Sequence, residues 1–232
     1  PLAGSGCSSS GATFTMTSGV AACVVRYNQA GNTNYLPSSN SFSQVVSTVL
    51  SNAPNYIFII TDDQRWDAMG VVQRELAAVG QARFSWFTNQ TPGLDRLARE
   101  GIRFRNAFAN NSVCSPSRAC FLTSQYNHLN SVVHNGKEFP SNAVTYASLL
   151  QSEGYQTLYT GKWHMNQQTT RPGFTHFASF IAQGNYFDQA FLVDGVNTPT
   201  TGWVDDVTTD YALNYISNNV ANPFALVVGF KS

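Results

Sequence analysis

Apolar and polar positions divide the chain into two regimes. Before residue 46 the runs are short and alternate with period two. Gly11-Ala12-Thr13-Phe14-Thr15-Met16-Thr17-Ser18-Gly19 followed by Ala22-Cys23-Val24-Val25-Arg26-Tyr27 reads as a β-hairpin, closed by Gln29-Ala30-Gly31-Asn32-Thr33-Asn34-Tyr35. Beyond Asn55 the pattern changes. Tyr56 to Thr61 is a continuous apolar run of the kind buried on both faces of a parallel sheet. Thr91-Pro92 opens a helix with Thr at the cap and Pro at the first helical position. Leu94, Leu97 and Ala98 line one of its faces and Gly101 ends it. Ile102 to Phe108 then predicts a strand, Tyr146 to Glu153 a helix, and Tyr155 to Thr160 another strand. Asp206 to Asn218 predicts a further helix that leads to the strand Phe224 to Gly229. Strands alternating with helices imply an α/β fold, a mixed or parallel sheet flanked by helices, preceded by a short β-rich segment. The expected division is a β segment over 1–46, a linker over 47–53 and an α/β unit over 54–232.

Composition narrows the function classes. The 232 residues hold 13 basic and 13 acidic side chains, so no net charge steers the chain to nucleic acid or to an anionic membrane. No apolar run approaches the ~20 residues of a membrane span. Few charges with many Ser, Thr, Asn and Gly suit a secreted, periplasmic or cell-surface protein. Both ends read as cut, at Pro1 inside a Ser/Gly-rich stretch and just after a core strand at Ser232, so the chain is expected to be a fragment. Its four cysteines, Cys7, Cys23, Cys114 and Cys120, show no zinc spacing. Cys7 and Cys23 flank the alternating run and suit a cross-strand disulfide in an oxidising compartment, the alternative being two thiols.

Three motifs carry chemistry. Asp62-Asp63 follow the first α/β strand, where two adjacent carboxylates repel unless a cation joins them, and hard divalent ions favour such oxygens. By themselves they could equally form a solvated turn or a helix cap. Cys114-Ser115-Pro116-Ser117-Arg118 places a thiol ahead of a Pro-started helix, where free N–H groups and the dipole favour an anion. Arg118 lies one turn on with a planar fork for oxygens. Gly161-Lys162-Trp163-His164 ends another strand, and extended alternation would point Lys162 and His164 to one side and Trp163 to the other. Strand ends of such sheets are where ligands gather.

Together and in this order, the three motifs resemble the N-terminal portion of a type I, formylglycine-dependent sulfatase of the alkaline phosphatase superfamily. The resemblance covers about residues 54–232 and implies a truncated alkaline-phosphatase-like sheet. It implies that Asp62, Asp63 and residue 114 bind Ca2+, with Mg2+ the alternative, and that a formylglycine-generating enzyme converts Cys114 to 3-oxoalanine. The hydrated aldehyde would attack sulfur and displace the alcohol, and the resulting ester would eliminate sulfate. Arg118 would hold the diol and the metal-linked carboxylates, Lys162 the sulfate, and His164 would assist the aldehyde. The family pattern usually has Gly, then Arg, where Ser124 and Gln125 stand here. Arg171-Pro172-Gly173-Phe174 and Gln183-Gly184-Asn185-Tyr186-Phe187-Asp188 resemble cleft segments of polysaccharide-directed sulfatases, which makes Gln183 a candidate substrate ligand, with core and turn as the alternative.

Residues 1–46 resemble the end of a bacterial immunoglobulin-like repeat. The implied function is hydrolysis of sulfate esters on a glycan or a small ester. A phosphoester or phosphonate-ester hydrolase of the same superfamily, or a glycan-binding module without catalysis, are the alternatives. Two carboxylates and a diol do not saturate calcium, and the family supplies further ligands from beyond this stretch, so residues 1–232 alone are expected to be inactive.

Overall fold

The computed structural model describes residues 53–219 and 222–232 in full and, before them, the backbone of four short strands. Those four are β1 (Cys7–Ser10), β2 (Thr13–Met16), β3 (Cys23–Tyr27) and β4 (Phe42–Val46). β2 pairs antiparallel with β1, and β3 with β4, so the hairpin expected over residues 11–27 is replaced by two separate pairings. The 29–35 turn, most of the 47–53 linker and the side chains of Cys7 and Cys23 lie outside the described residues.

The α/β part follows in the order β5 (Tyr56–Ile60), α1 (Gly70–Ala78), α2 (Pro92–Glu100), α3 (Cys114–Thr123), α4 (Asn127–Asn130) and α5 (Tyr146–Ser152). It continues through β6 (Gln156–Lys162), β7 (His176–Phe180), β8 (Phe191–Val193), β9 (Val196–Thr198), α6 (Val204–Asn218) and β10 (Phe224–Gly229). Six strands form one mixed sheet in the order β5-β10-β6-β7-β8-β9. The first four run parallel, and β8 and β9 add antiparallel at the far edge. All six residues of β10 are buried, as its continuous apolar sequence requires.

Two layers of helices complete the packing. On one face Tyr159, Trp163 and Val227 join Ala119 and Leu122 of α3 and Ala147 of α5. Leu158, Leu226 and Val228 point the other way, onto Ala212 of α6. Each large apolar side chain buried this way contributes roughly 1.5–3 kcal/mol relative to exposure. The four parallel strands therefore bring their carboxyl ends to one edge, with Asp62 and Asp63 after β5, Lys162 at the end of β6, and Lys231 just after β10.

Three expectations are corrected. Ile102–Phe108 is an extended loop, with Phe104 and Phe108 exposed, because no described strand lies alongside to complete a ladder. β5 is the sheet's edge among the described strands, so Phe58 packs on Phe121 and Tyr146 while Ile57 and Ile59 remain exposed on the other face. In α2 the buried position is Asp95, not Leu97. Its carboxylate takes Arg74 Nη2 at 2.8 Å and the Val71 N–H at 2.8 Å, and so docks α2 on α1.

Candidate active site

Asp63 turns the chain directly after Asp62, with φ of 53°. The left-handed region is open to Asp because its short side chain satisfies the backbone locally. One ligand atom each from Asp62, Asp63 and Cys114 lie within 4.8 Å of one another. Cys114 Sγ is 4.0 Å from Asp62 Oδ2, and Lys162 Nζ is 3.8 Å from Cys114 Sγ while bonding Asp62 Oδ2. A hollow of about 440 Å³ opens over this group, walled by Asp62, Asp63, Gln64, Cys114, Ser117 and Arg118. A larger hollow, about 730 Å³, lies over residues 136–141 and 166–170 and contains none of the cluster.

Cys114 lies at the N-terminus of α3 as expected, but as its first residue, since the helix begins there and not at Pro116. The terminus is less open to an anion than expected, because the Ser115 N–H is taken by Asn135 Oδ1 at 3.0 Å and Pro116 has none. Ser115 is buried and its hydroxyl donates to the His164 carbonyl, tying α3 to the segment after β6. Ser115 carries no sequence signal of this role beyond closeness to Cys114, and Asn135, 20 residues beyond Ser115, carries none.

Arg118 is almost wholly buried and spans three elements. Nη1 donates to the Tyr159 hydroxyl at 3.1 Å and to the Lys162 carbonyl at 2.6 Å, and Nη2 to the Phe230 carbonyl at 3.1 Å. Nη2 lies 3.6 Å from Asp62 Oδ1. The guanidinium thus braces the ends of β6 and β10 and faces the carboxylate from behind. Burial works to raise the Asp62 carboxyl, but the Lys162 hydrogen bond and the Arg118 and Lys162 charges outweigh it and hold it below the usual carboxylate range.

Lys162 ends β6 with no exposed surface, and Trp163 enters the core against Phe139, Tyr159 and Phe174. The expected alternation stops there, since His164 takes φ of 56°. Its ring is 7% exposed and Nδ1 has no partner among the described residues. Burial first, then the Lys162 and Arg118 charges, push this imidazole down to about 4, so it is neutral at physiological pH. Gln183 lies on the exposed 181–189 loop, which leaves β7 at the same sheet edge, and it makes no hydrogen bond to the cluster. Cys120 is a free thiol two turns beyond Cys114, accepting from Asn110 Nδ2 at 3.4 Å.

Two residues at the edge went unnoticed in the sequence. Asp205, at the start of α6, accepts from the Lys231 and Ser232 N–H groups at 2.8 and 3.1 Å. It fixes the segment after β10 against β5, where Asp62 N–H reaches the Ser232 carbonyl at 3.4 Å. Lys231 is buried beside the site, two residues past the end of β10.

Known proteins are similar to this chain. The N-acetylglucosamine-6-O-sulfatase of Bacteroides thetaiotaomicron is 38% identical over 183 residues, 77% of this chain and 30% of that protein. Mouse arylsulfatase G is 36% identical over 130 residues, 53% of this chain and 22% of its own length. A solved structure of a protein in complex with its substrate D-glucosamine-2-N,6-O-disulfate superposes with a TM-score of 0.65 at 36% identity, over 77% of this chain and 34% of that one. The chain thus spans about a third of the length of these relatives or less. No helix among the described residues is long and apolar enough to cross a membrane. The sulfatase family model matches residues 54–232, the stretch that builds the sheet and every residue of the cluster, and the chain belongs to the sulfatase family.

Proposed function

We propose that the whole protein hydrolyses sulfate esters of a carbohydrate, with residue 114 as the nucleophile after its thiol is converted to formylglycine. The observation that carries this reading is the convergence of Asp62, Asp63 and Cys114 within 4.8 Å, with Lys162 Nζ in contact with both the first carboxylate and the sulfur. The relatives named for an N-acetylglucosamine 6-sulfate activity and for a glucosamine disulfate substrate make a sulfated amino sugar the first choice.

A divalent cation fits the donor set. Two carboxylates and residue 114 offer ligand atoms in reach of one centre, and hard oxygen donors suit Ca2+ or Mg2+. Ca2+ takes six to eight such atoms, so its remaining ligands would come from elsewhere in the protein. When bound, the metal supplies charge stabilisation and raises the acidity of an oxygen at residue 114. The chain's own residues do the rest. Lys162 sets a cation where sulfate oxygens must lie, Arg118 fixes Asp62 and the β6 and β10 ends, and neutral His164 can take a proton at Nδ1. Residues 1–46 are read as the close of an immunoglobulin-like repeat that carries this unit in a secreted or surface protein.

The test is made on the complete protein from a host with a formylglycine-generating enzyme. Peptide mass spectrometry is expected to find the aldehyde at residue 114, and sulfate is expected to be released from N-acetylglucosamine 6-sulfate in the presence of Ca2+. An unconverted thiol would support glycan binding without catalysis, and faster turnover of a phosphonate ester would move the site to that chemistry.

A further inference from the structure

We propose that Lys231 selects for a second anionic group on the substrate, a sulfate or carboxylate carried by the same sugar as the scissile ester. This rests on the sugar sulfatase reading and adds a residue that none of the three motifs contains.

Lys231 leaves the central strand β10 at the edge where the cluster sits, and its side chain is 96% removed from solvent, being 4% exposed. The neighbouring Phe230 carbonyl is bonded to Arg118, and the Ser232 carbonyl meets the Asp62 N–H, so residues 230–232 run along the wall of the site. Nζ lies 4.1 Å from the centroid of the Tyr186 ring. A desolvated ammonium normally carries a carboxylate partner. Among the described residues Lys231 has none within salt-bridge reach. Asp62 is engaged by Lys162 and Arg118, and Asp205 by the backbone N–H groups of Lys231 and Ser232 and by the Ser232 hydroxyl. An aromatic face offsets only part of the cost of removing an ammonium from water.

The second observation is the surface around it. Tyr186 stacks on Trp203 with centroids 5.4 Å apart and planes 14° apart, and Phe187 meets the same indole edge-on at 5.1 Å. Tyr186 and Phe187 are exposed, on the loop that leaves β7 at the same edge. With Tyr186 held between Trp203 and the ammonium, the exposed Phe187 ring beside it is what can take the apolar face of a sugar, and the cation next to Tyr186 takes an anion. Lys162 is already committed to the position next to residue 114. An additional ammonium with no salt-bridge partner among the described residues therefore favours a substrate with one more negative group than the ester itself.

The experiment uses the complete, formylglycine-converted protein and three sugars: N-acetylglucosamine 6-sulfate, glucosamine 2-N,6-O-disulfate and N-succinylglucosamine 6-sulfate. The wild type is expected to favour the two dianionic substrates at least tenfold in kcat/KM, with sulfate and carboxylate separated by the last two. K231M is expected to lose about 10- to 100-fold on the dianionic substrates, mainly through KM, and less than threefold on the monosulfate. K231R should retain the preference, and circular dichroism with a thermal midpoint checks that both variants fold. A wild type without the preference overturns the proposal whatever the variants do. So does an equal loss of kcat on all three sugars, which would put the ammonium on the ester itself. Absence of sulfate release from every sugar by the wild type would instead overturn the sulfatase reading.

Discussion

Gly161→Ala tests how closely β6 and β10 must approach for the site to exist. Gly161 stands opposite Gly229 in the parallel register, one residue before Lys162. A Cβ on Gly161 would lie 2.1 Å from the Gly229 carbonyl oxygen and 2.7 Å from Thr208 Cγ2, and φ there is +85°. The oxygen belongs to backbone, so relief requires the two strands to part by roughly an ångström, against packing as dense as an organic crystal. The left-handed conformation costs about 1–2 kcal/mol for alanine, and overpacking typically about 1–3 kcal/mol more. The expected loss of stability is about 2–5 kcal/mol. Gly195 supplies the control, because it has φ of +91° with nothing within 4 Å of its would-be Cβ. Gly195→Ala should cost only the conformational part, about 1–2 kcal/mol. Urea denaturation of both variants measures the difference, which is the clash alone. If Gly161→Ala costs no more than Gly195→Ala, the strands are not held at the spacing described and the placement of Lys162 argued from it is wrong.

Ser124 ends α3 with φ of 56°, so Ser124→Gly should raise stability by about 0.5–1 kcal/mol, read as a higher thermal midpoint; no gain would show that the serine is not in the left-handed region. His164 has its ordinary value of 6.5 lowered to about 4 in the fold, so below pH 6.5 the unfolded chain takes up a proton that the folded one refuses. Stability should fall by up to about 3 kcal/mol between pH 6.5 and 4 and be untouched by this group above pH 6.5; H164Q should remove that part of the slope in denaturation curves, and an unchanged slope would refute it. Asp62 and Lys162 are nearly or wholly buried, so D62N and K162M should each cost about 3 kcal/mol or more in metal-free buffer while the double variant costs less than their sum by on the order of 2 kcal/mol. A coupling below about 0.5 kcal/mol in that cycle would mean that the two do not pair.

What could be read from the sequence is what sits at the ends of apolar runs. Tyr56–Thr61, Tyr155–Thr160 and Phe224–Gly229 are long enough to announce strands, and a charged residue just past such a run is conspicuous. Asp62, Asp63 and Lys162 were legible for that reason, and Lys231 should have been. The β8–β9 hairpin also left a signal, Asp194-Gly195 with both φ values positive between two short apolar runs. Other features have no local signature. α1 opens on a glycine and buries Gln73, whose amide bonds the Asp67 carbonyl and the Phe84 N–H, so polar burial replaces an apolar stripe. Ile102–Phe108 shows the opposite failure, since alternation suggests a strand but a strand exists only where another supplies the ladder.

The site itself is held by contacts that sequence spacing cannot express. Arg118 meets Phe230 across 112 residues, Lys162 across 44 and Tyr159 across 41, and two of these three partners offer main-chain carbonyls, which every residue type has. No pattern of side chains could have pointed to them. Their effect is nonetheless specific. A planar fork reaches two carbonyls on adjacent strands at once, while a lysine at this position could keep the charge near Asp62 but not both bonds. A buried carbonyl left without its donor costs about 1–3 kcal/mol. The positive charge facing Asp62 and the spacing of β6 and β10 are therefore set by one residue. That double duty explains why the cluster forms at all. The carboxylates follow β5, the thiol opens α3 and the ammonium ends β6, and the guanidinium of Arg118, itself on α3, reaches Asp62 and the main chain at the ends of β6 and β10.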